Sequence, residues 1–390
     1  MILEAAKPKH RYVVLDSLRG VCACMVVLLH FITQGHISAL PVVRNSFLFV
    51  DFFFVLSGFV IGSSYGLRLA EGFSIRRFMW LRLGRVYPLH FVVLMAFLGF
   101  EIIFALFMHG MADREPFEGA FSLPLLGYSL LLVQIFFGPD GTPWNGPSWS
   151  IAAEIWTYLI FALLLRYAFR FMIPVCLLIA IVAPLVLSQL TDRSINVFHD
   201  GALLRCLFGF SLGILGWQMA DRVARLRPGR WGDHLIEMAV AIGVIVFVWS
   251  AGAGPLSLAA PLVFFLAVLV FSREAGFISR LLKCAPFALV GILSYSIYMI
   301  HGFLLYRFVN GLSLLERVTG LDLVQHVGGH NSVGGGALFG DMMSVLFLGI
   351  VICASWLSYN FVELPGQRFV RRWPERRSAS VPIPVAPGAP

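Results

Sequence analysis

Three ionisable residues, Asp16, Arg19 and His30, lie within the first apolar run of the sequence. Ionisable groups in a membrane-length apolar run are costly to bury, so they are candidates for function by default. Successive residues of an α-helix turn by about 100°, and spacings of three and eleven residues therefore place all three on one face. An imidazole has an ordinary pKa of about 6.5, which gives His30 the chemistry of a general base or a nucleophile.

The same face extends along the helix axis. Eleven residues rise by about 16 Å, which places Arg19 toward the cytoplasmic surface of a membrane and His30 well into the outer half. A structural explanation is also open: an ion pair between Asp16 and Arg19, and a backbone carbonyl that satisfies His30. The choice between the structural and the functional explanation therefore depends on the other polar segments of the sequence.

A second candidate is the arginine-rich segment 67–87, which ends in the sequence RLGRVYP. Arg82 and Arg85 are three residues apart and share a helix face. Forked guanidinium groups in that arrangement suit phosphate groups. The alternative is an ordinary cytoplasmic loop, or a contact with anionic lipid.

A third candidate lies in the apolar segment 285–305, where Ser294, Tyr298 and His301 follow at steps of four and three residues. Back-bonding to the helix would explain the serine, and a position at the membrane interface would explain the tyrosine. Neither explanation accounts for a second intramembrane histidine.

A fourth candidate opens the apolar segment 149–165, where Trp149, Ser150 and Glu154 place a carboxylate about one turn into the membrane. Stabilisation of a helix N-terminus by an acid is the alternative explanation. Asp51 and Glu101 are further isolated acids to which the sequence assigns no role.

The composition indicates the elements that must position these residues. Of 390 residues, 59% are hydrophobic and 13% are charged, which predicts an all-α polytopic bundle in a lipid bilayer. The net charge of +8 does not point to nucleic acid, because the basic residues lie in short loops. Six cysteines without a CxxC pair argue against disulfides, zinc and redox chemistry, and no metal site is expected.

Eleven apolar segments are candidate spans: 13–33, 47–66, 88–108, 121–138, 149–165, 171–190, 202–220, 234–250, 256–272, 285–305 and 338–360. Clusters of basic residues between them predict that both termini are cytoplasmic, which requires an even number of crossings. Pro124 interrupts the segment 121–138, which we therefore expect to be re-entrant or interfacial. The prediction is ten transmembrane helices.

The chain is expected to form one membrane domain. Residues 1–12 are predicted to be a cytoplasmic N-terminus, 13–365 the membrane domain, and 366–390 a basic and then Pro-rich, disordered cytoplasmic tail.

The outer loop 307–337 contains GGHNSVGGG; its glycines could cradle a phosphate, but no Lys-Ser/Thr follows. A flexible linker is the preferred interpretation.

The chain resembles the family 3 membrane acyltransferases from about residue 13 to residue 365. The resemblance rests on six ordered motifs: LDSLRGVCACMVVLLH, VDFFFVLSGFVI, RLGRVYP, PSWSIAAEIWTYL, SYSIYMIH and VELP. It implies transfer of an acyl group, often acetyl, from cytoplasmic acyl-CoA as co-substrate to a hydroxyl of a cell-envelope glycan or glycolipid. It also implies a multi-pass protein of a bacterial inner membrane.

The resemblance implies roles for single residues. His30 matches the family's essential histidine, and Arg19 matches its basic partner ten intervening residues earlier. Arg82 and Arg85 match the basic motif that engages CoA, and Glu154 matches the acid after the tryptophan-serine motif. Our own hypothesis for Glu154 is that it orients His30 or steadies the acceptor. The remaining motif positions are support residues: Asp16, Ser57, Gly58, Trp149, Ser150, Ser294, Tyr298, His301 and Glu363.

Two features qualify the resemblance. The second serine that relatives often carry before the acid is absent, since Ala152 and Ala153 precede Glu154. Some relatives also carry a fused extracytoplasmic esterase-like domain, for which this chain has no room after residue 365, so direct acceptor use or a separate extracytoplasmic transferase is expected.

A transporter or flippase is the alternative, but the internal repeats that many transporters carry are not visible.

Overall fold

The computed structural model describes residues 11–107, 114–137, 143–190, 194–226, 228–327 and 330–372. Its α-helices are α1 (Val13–His30), α2 (His36–Ala39), α3 (Pro41–Arg44), α4 (Phe49–Ala70), α5 (Ile75–Phe107), α6 (Leu123–Leu130), α7 (Ser148–Tyr167), α8 (Met172–Leu190), α9 (Ala202–Arg225), α10 (Gly229–Ala251), α11 (Ala260–Phe271), α12 (Phe277–Leu282), α13 (Ala285–Thr319), α14 (Ala337–Ser358) and α15 (Leu364–Arg372). Two short antiparallel strands, β1 (Val324–Val327) and β2 (His330–Val333), form a hairpin.

Within the described ranges, nine helical stretches are long and apolar enough to cross a membrane. The apolar stretch Pro255–Phe271 is shorter. The prediction of an all-α polytopic membrane bundle is confirmed. Within 121–137, the described part of the segment 121–138, the α-helix is α6, whose eight residues span about 12 Å and are too short to cross a hydrocarbon core of about 30 Å. The count of ten crossings and the orientation stay predictions, as do the domain limits.

The helix that contains the apolar segment 88–108 begins before that segment. Helix α5 begins at Ile75 and continues through Pro88, so Arg82 and Arg85 lie on a helix and not in a loop. Proline is tolerated inside membrane helices where neighbouring helices supply hydrogen bonds, and beside it the Tyr295 hydroxyl donates to the Val86 carbonyl at 2.5 Å. Two of its arginines, Arg82 and Arg85, face a cavity.

The interpretation of 307–337 as a flexible linker is also wrong. Helix α13 continues to Thr319, and strands β1 and β2 follow. Strand β2 contacts the segment after α1: the Val333 amide donates to the Ile32 carbonyl at 3.2 Å, and the Gln34 amide donates to the Val333 carbonyl at 3.4 Å. The hairpin therefore fixes the chain immediately beyond His30.

Two pairs of helices pack with their backbones in contact. A Cβ atom on Gly20 of α1 would lie 2.4 Å from the Val290 carbonyl carbon, and one on Gly291 of α13 would lie 2.8 Å from the Asp16 carbonyl oxygen. Helices α4 and α9 meet similarly, since a Cβ on Gly58 would lie 2.1 Å from the Phe210 oxygen. Small residues allow this close packing in membrane bundles, so Gly58 is a packing residue here.

A fully buried ion pair also joins α4 to α9. The Arg205 guanidinium donates to Asp51 Oδ1 at 2.9 Å and to Oδ2 at 2.7 Å, and both side chains are 0% exposed. The guanidinium also lies 5.3 Å from the Trp149 ring. Asp51, to which the sequence assigned no role, neutralises the arginine within the bundle, and Trp149 packs against this pair.

Breaking this pair is expected to destabilise the protein strongly. Arg205→Leu leaves Asp51 as an unpaired buried charge, and we expect a loss of about 3–5 kcal/mol. The double variant Asp51→Leu/Arg205→Met removes both charges and should lose less. Thermal unfolding in detergent measures the difference, and Arg222→Leu, at an exposed position of the same helix, is the matched control. A double variant no more stable than Arg205→Leu would contradict the electrostatic explanation.

Candidate functional site

A cavity of about 700 Å³ opens at the arginine-rich end of the bundle, which carries the α4–α5 connection and α15. We call this cavity the vestibule. Five guanidinium groups line it, those of Arg11, Arg19, Arg82, Arg85 and Arg371. Small-molecule sites occupy about 300–1,000 Å³, so the vestibule has the size and the charge to hold a large anionic ligand.

Two carboxylates, those of Asp16 and Glu363, and three phenols, those of Tyr12, Tyr65 and Tyr359, also line the vestibule. Tyr12 precedes α1, and its pKa is raised by burial and by the nearby carboxylates of Asp221 and Glu274. The phenol therefore stays protonated at neutral pH. The vestibule keeps more guanidinium groups than carboxylates on its wall.

Helix α5 points two of its arginines into the vestibule. The Arg82 guanidinium lies 5.0 Å from the Tyr65 ring centroid and donates to the Tyr65 hydroxyl at 3.4 Å, whereas its buried Nε has no partner among the described residues. Arg85 makes no direct hydrogen bond or ion pair within the described part of the chain. Both side chains keep donors available for an external anion.

The other arginines of the segment 67–87 do not line the vestibule. Arg77 donates to the carbonyls of Val370 and Arg371 at 3.5 and 3.4 Å, at the end of α15. Arg68 is exposed and lies over the Phe73 ring at 4.3 Å. The cluster therefore divides into two arginines that face the cavity and others that face outward or hold α15.

The vestibule narrows to an inner chamber of about 110 Å³. Both cavities share Arg19, Leu56, Val60, Arg82 and Arg85, so the two are continuous. Farther in, the lining changes to aromatic and aliphatic side chains with a few polar groups. Those polar groups belong to Ser57, Ser150, Glu154, Tyr158, Ser294, Tyr295 and Tyr298.

Glu154 is held in the chamber by its own helix. The Tyr158 hydroxyl donates to Glu154 Oε1 at 2.5 Å. Because that proton is used, the Ser57 hydroxyl must donate to the Tyr158 oxygen, 2.7 Å away. Glu154 lies beyond the first turn of α7 and makes no capping bond, so the explanation by helix capping is wrong.

Ser150 fixes Tyr298 at the inner end of the chamber. Ser150 donates to the Pro147 carbonyl at 3.0 Å, so the Tyr298 hydroxyl, 2.9 Å away, donates to the Ser150 oxygen. The neighbouring Trp149 does not line the chamber.

The polar faces of α1 and α13, each of which was predicted from residue spacing, meet in the structure. Arg19 Nε donates to the Ser294 hydroxyl at 2.8 Å, and Arg19 Nη2 lies 3.4 Å from the Gly291 carbonyl and 3.2 Å from Asp16 Oδ1. Asp16 also binds Arg11 at 3.1 Å. The structural explanation of an Asp16–Arg19 pair is therefore correct, and Arg19 lines both cavities as well.

His30 lies outside the chamber, at the last residue of α1. Its Nδ1 is 2.8 Å from the Val26 carbonyl, as the structural explanation expected. Its ring centroid is 5.0 Å from that of His301, which in turn is 6.0 Å from that of Tyr298. Tyr298 and His301 thus separate His30 from the chamber, and Glu154 binds Tyr158 and not His30.

His301 is buried, with 1% of its surface exposed. Neither ring nitrogen has a hydrogen bond of good geometry within the described part of the chain. A buried polar atom without a partner costs about 1–3 kcal/mol. The histidine pair is therefore a place where a polar group of a bound molecule would be stabilised.

Glu363 closes the vestibule from the other side. It ends a π-helical segment, Tyr359–Glu363, between α14 and α15. Its carboxylate accepts hydrogen bonds from Ser296 and Gln367, both at 3.0 Å. Single π-turns occur often at functional sites because they redirect one side chain.

Sequence reasoning missed several residues of the site. Tyr158 follows Glu154 by four residues, which on a helix is a contact spacing, so this signal was available. Phe53, Tyr65 and Tyr295 carried no such signal. Within the described ranges, no three His, Cys, Asp or Glu side chains come together as metal ligands.

Comparison with known proteins gives a family match and distant relatives. A family model described as an acyltransferase domain matches residues 12–361. The "Acyltransferase MdmB" of Streptomyces mycarofaciens is 26% identical over 93% of this chain and 88% of its own. The "Protein 2 in picA locus" of Rhizobium radiobacter is 30% identical over 40% of this chain and 83% of its own. No solved structure matches the chain.

The vestibule predicts binding of multivalent anions. Inorganic pyrophosphate at ten times its dissociation constant should raise the unfolding free energy by about 1.4 kcal/mol, seen as a higher melting temperature in detergent. Arg82→Gln and Arg85→Gln should weaken that effect, because each removes a guanidinium donor. Arg68→Gln, which alters an exposed arginine of the same segment, is the matched control. Equal loss in all three variants would indicate unspecific charge screening.

Proposed function

The chain belongs to the family 3 membrane acyltransferases, and from this and its cavities we propose that it transfers an acyl group from cytoplasmic acyl-CoA to a hydroxyl of a cell-envelope glycan or glycolipid. The observation that carries the proposal is the guanidinium-lined vestibule that narrows to a small, mainly apolar chamber. A ligand with phosphates at one end and a small neutral group at the other fits this shape and charge.

The donor occupies the two cavities in sequence. Arg82 and Arg85 bind the phosphates of CoA through forked, charge-assisted hydrogen bonds. The pantetheine arm follows the continuous wall of Leu56 and Val60 inward. The thioester then lies in the chamber beside Arg19, whose positive charge favours the negative charge that develops on the carbonyl oxygen.

His30 supplies the proton-transfer or acyl-carrier group. Its Nδ1 lies 2.8 Å from a carbonyl, and a carbonyl only accepts, so in the neutral imidazole the proton is on Nδ1 and the Nε2 lone pair is free. As a general base, Nε2 takes the acceptor's hydroxyl proton. As a nucleophile, Nε2 forms an acyl-imidazole while the C–S bond breaks, and the acceptor hydroxyl then takes the acyl group.

Tyr298 and His301 lie between the chamber and His30, so these two side chains must move aside before Nε2 reaches the thioester. The donor enters from the vestibule and the acceptor from the side of His30. We assign the vestibule to the cytoplasmic side of a bacterial inner membrane and His30 to the outer side. The acceptor is a cell-envelope glycan or glycolipid hydroxyl, taken directly or through a separate extracytoplasmic transferase. Glu154 steadies the reacting hydroxyl or thiol at the chamber, not the imidazole of His30.

Acyl transfer should depend on His30. Proteoliposomes given radiolabelled acetyl-CoA and a cell-envelope extract should label the glycan, and His30→Ala should reduce the rate by about 10²–10⁴-fold, the usual loss of a general acid–base group. His36→Ala, an exposed histidine beyond α1, is the matched control. Protein-bound label in the wild type that resists acid quenching would favour the acyl-imidazole. No consumption of several acyl-CoAs would favour the transporter alternative.

Glu154→Gln should lower kcat more than it raises KM for the donor, because the carboxylate contacts the reacting groups and not the nucleotide. Tyr158→Phe keeps the ring and removes only the hydroxyl that donates to Glu154, so a smaller loss of kcat is expected. The matched control is Glu71→Gln, at an exposed position after α4. Undiminished transfer by Glu154→Gln would remove the carboxylate from the mechanism.

A further inference from the structure

We propose that Arg307 and Arg114 bind the phosphate group of an anionic membrane lipid at the end of the bundle opposite the vestibule. Neither arginine lines the vestibule or the inner chamber, so the inference does not rest on acyl transfer. It assigns a second anion site to the chain, with a phospholipid of net negative charge as the ligand.

The first argument is the position of the two arginines. On α13, Arg307 follows Ile292 of the vestibule wall by fifteen residues, or about 22 Å along the helix axis. On α5, Glu101, which binds Arg114, follows Arg85 of the vestibule wall by sixteen residues, or about 24 Å. A hydrocarbon core is about 30 Å thick. Both helices therefore place this cluster near the opposite edge of the membrane.

The second argument is the unbalanced charge of the cluster. Arg114 donates to both oxygens of the buried Glu101 carboxylate, at 2.6 and 2.7 Å, and the Phe117 amide donates to Oε1 at 2.9 Å. Arg307 is close enough to interact electrostatically with Arg114 and Glu101. Among the described residues, the two guanidinium groups have one bonded carboxylate between them, so the cluster keeps an excess positive charge that an anion would neutralise.

The third argument is the state of the Arg307 side chain. Its Nε and Nη1 atoms are shielded from solvent and have no hydrogen-bond partner among the described residues. The guanidinium instead lies over the Phe100 ring, 3.0 Å from its centroid, and 5.5 Å from the centroid of Phe303. The residue as a whole is half-buried. Rotation of the side chain toward the surface breaks no hydrogen bond of these two nitrogens, so both are available to an incoming anion.

The fourth argument is the surface around the cluster. On α5, Ile103, Leu106 and Phe107 are exposed just beyond Glu101, and apolar side chains exposed on a membrane-length helix contact lipid chains. On α13, the exposed Tyr306 precedes Arg307, and tyrosine is enriched at the membrane–water interface. Forked guanidinium donors match the oxygens of a phosphate. A phosphate at this depth belongs to a lipid headgroup, so the ligand is a phospholipid rather than a soluble phosphate.

The test measures lipid binding to the full chain in a neutral detergent, by native mass spectrometry and thermal unfolding. We expect phosphatidylglycerol to bind and to raise the melting temperature more than phosphatidylcholine does, because phosphatidylglycerol carries a net negative charge. Arg307→Gln should weaken phosphatidylglycerol binding by at least about tenfold, the loss expected for one hydrogen bond between charged groups. Arg317→Gln, at an exposed position of the same helix, is the matched control and should bind like the wild type.

Two further measurements separate the lipid site from a structural role of Arg307. Without added lipid, Arg307→Gln should leave the melting temperature unchanged, since Nε and Nη1 have no hydrogen bond to lose among the described residues. Soluble glycerol phosphate should stabilise the wild type and Arg307→Gln equally, because it lacks the chains that contact the apolar side chains of α5.

Equal phosphatidylglycerol binding by the wild type and Arg307→Gln would overturn the site, as would an equal loss of binding in Arg317→Gln. A stabilisation by glycerol phosphate that depends on Arg307 would overturn the choice of a lipid as the ligand. If Arg307→Gln folds poorly, Arg307→Lys, which keeps the charge and loses the forked donors, should still bind phosphatidylglycerol more weakly. Binding by Arg307→Lys equal to that of the wild type would contradict the proposal.

Discussion

A guanidinium group inside an apolar bundle needs either a counter-charge or water, and this requirement shapes the whole structure. Arg205 is fully enclosed, and Asp51 neutralises it with two short hydrogen bonds. Among the described residues, Arg82 and Arg85 make no ion pair of this kind, and both line the open vestibule together with the carboxylates of Asp16 and Glu363. The open vestibule thus surrounds Arg82 and Arg85, whereas the closed α4–α9 contact surrounds the ion-paired Arg205.

The close contact of α1 with α13 determines the relative position of the polar residues on the two helices. Gly20 and Gly291 bring the two backbones together. At that separation Arg19 reaches Ser294 near the vestibule. Farther along the same faces of the two helices, His30 meets His301. The polar residues of both helices are therefore aligned by a contact that contains no catalytic chemistry. The hairpin β1–β2 completes this alignment by binding the chain beyond His30.

Much of this organisation was readable from the sequence, because helical periodicity determines which residues share a face. The shared face of Asp16, Arg19 and His30, and that of Ser294, Tyr298 and His301, follow from spacing alone. Periodicity does not say which helix a face meets. The pairing of Asp51 with Arg205, residues 154 positions apart, depends on the packing order of the helices and could not be predicted.

Predictions from local sequence patterns also failed where contacts with distant residues determined the structure. The apolar pattern placed the start of the third apolar segment at residue 88, but helix α5 begins at Ile75 and passes through Pro88. The glycines of 334–336 predicted a linker, but the residues just before them pair with the segment after α1. The sequence left Glu154 either to orient His30 or to steady the acceptor; in the structure Glu154 binds Tyr158 of its own helix.

The bond between Arg19 and Ser294 joins residues 275 positions apart, and this separation has a consequence for biosynthesis. At about 5–20 residues per second, roughly 15–55 seconds pass between the synthesis of the two residues. During that time α1 has entered the membrane region, but the helix that satisfies its polar face does not yet exist. Until α13 is made, Arg19 can pair with Asp16 of its own helix but lacks Ser294 and the Gly291 carbonyl, so α1 is completed late.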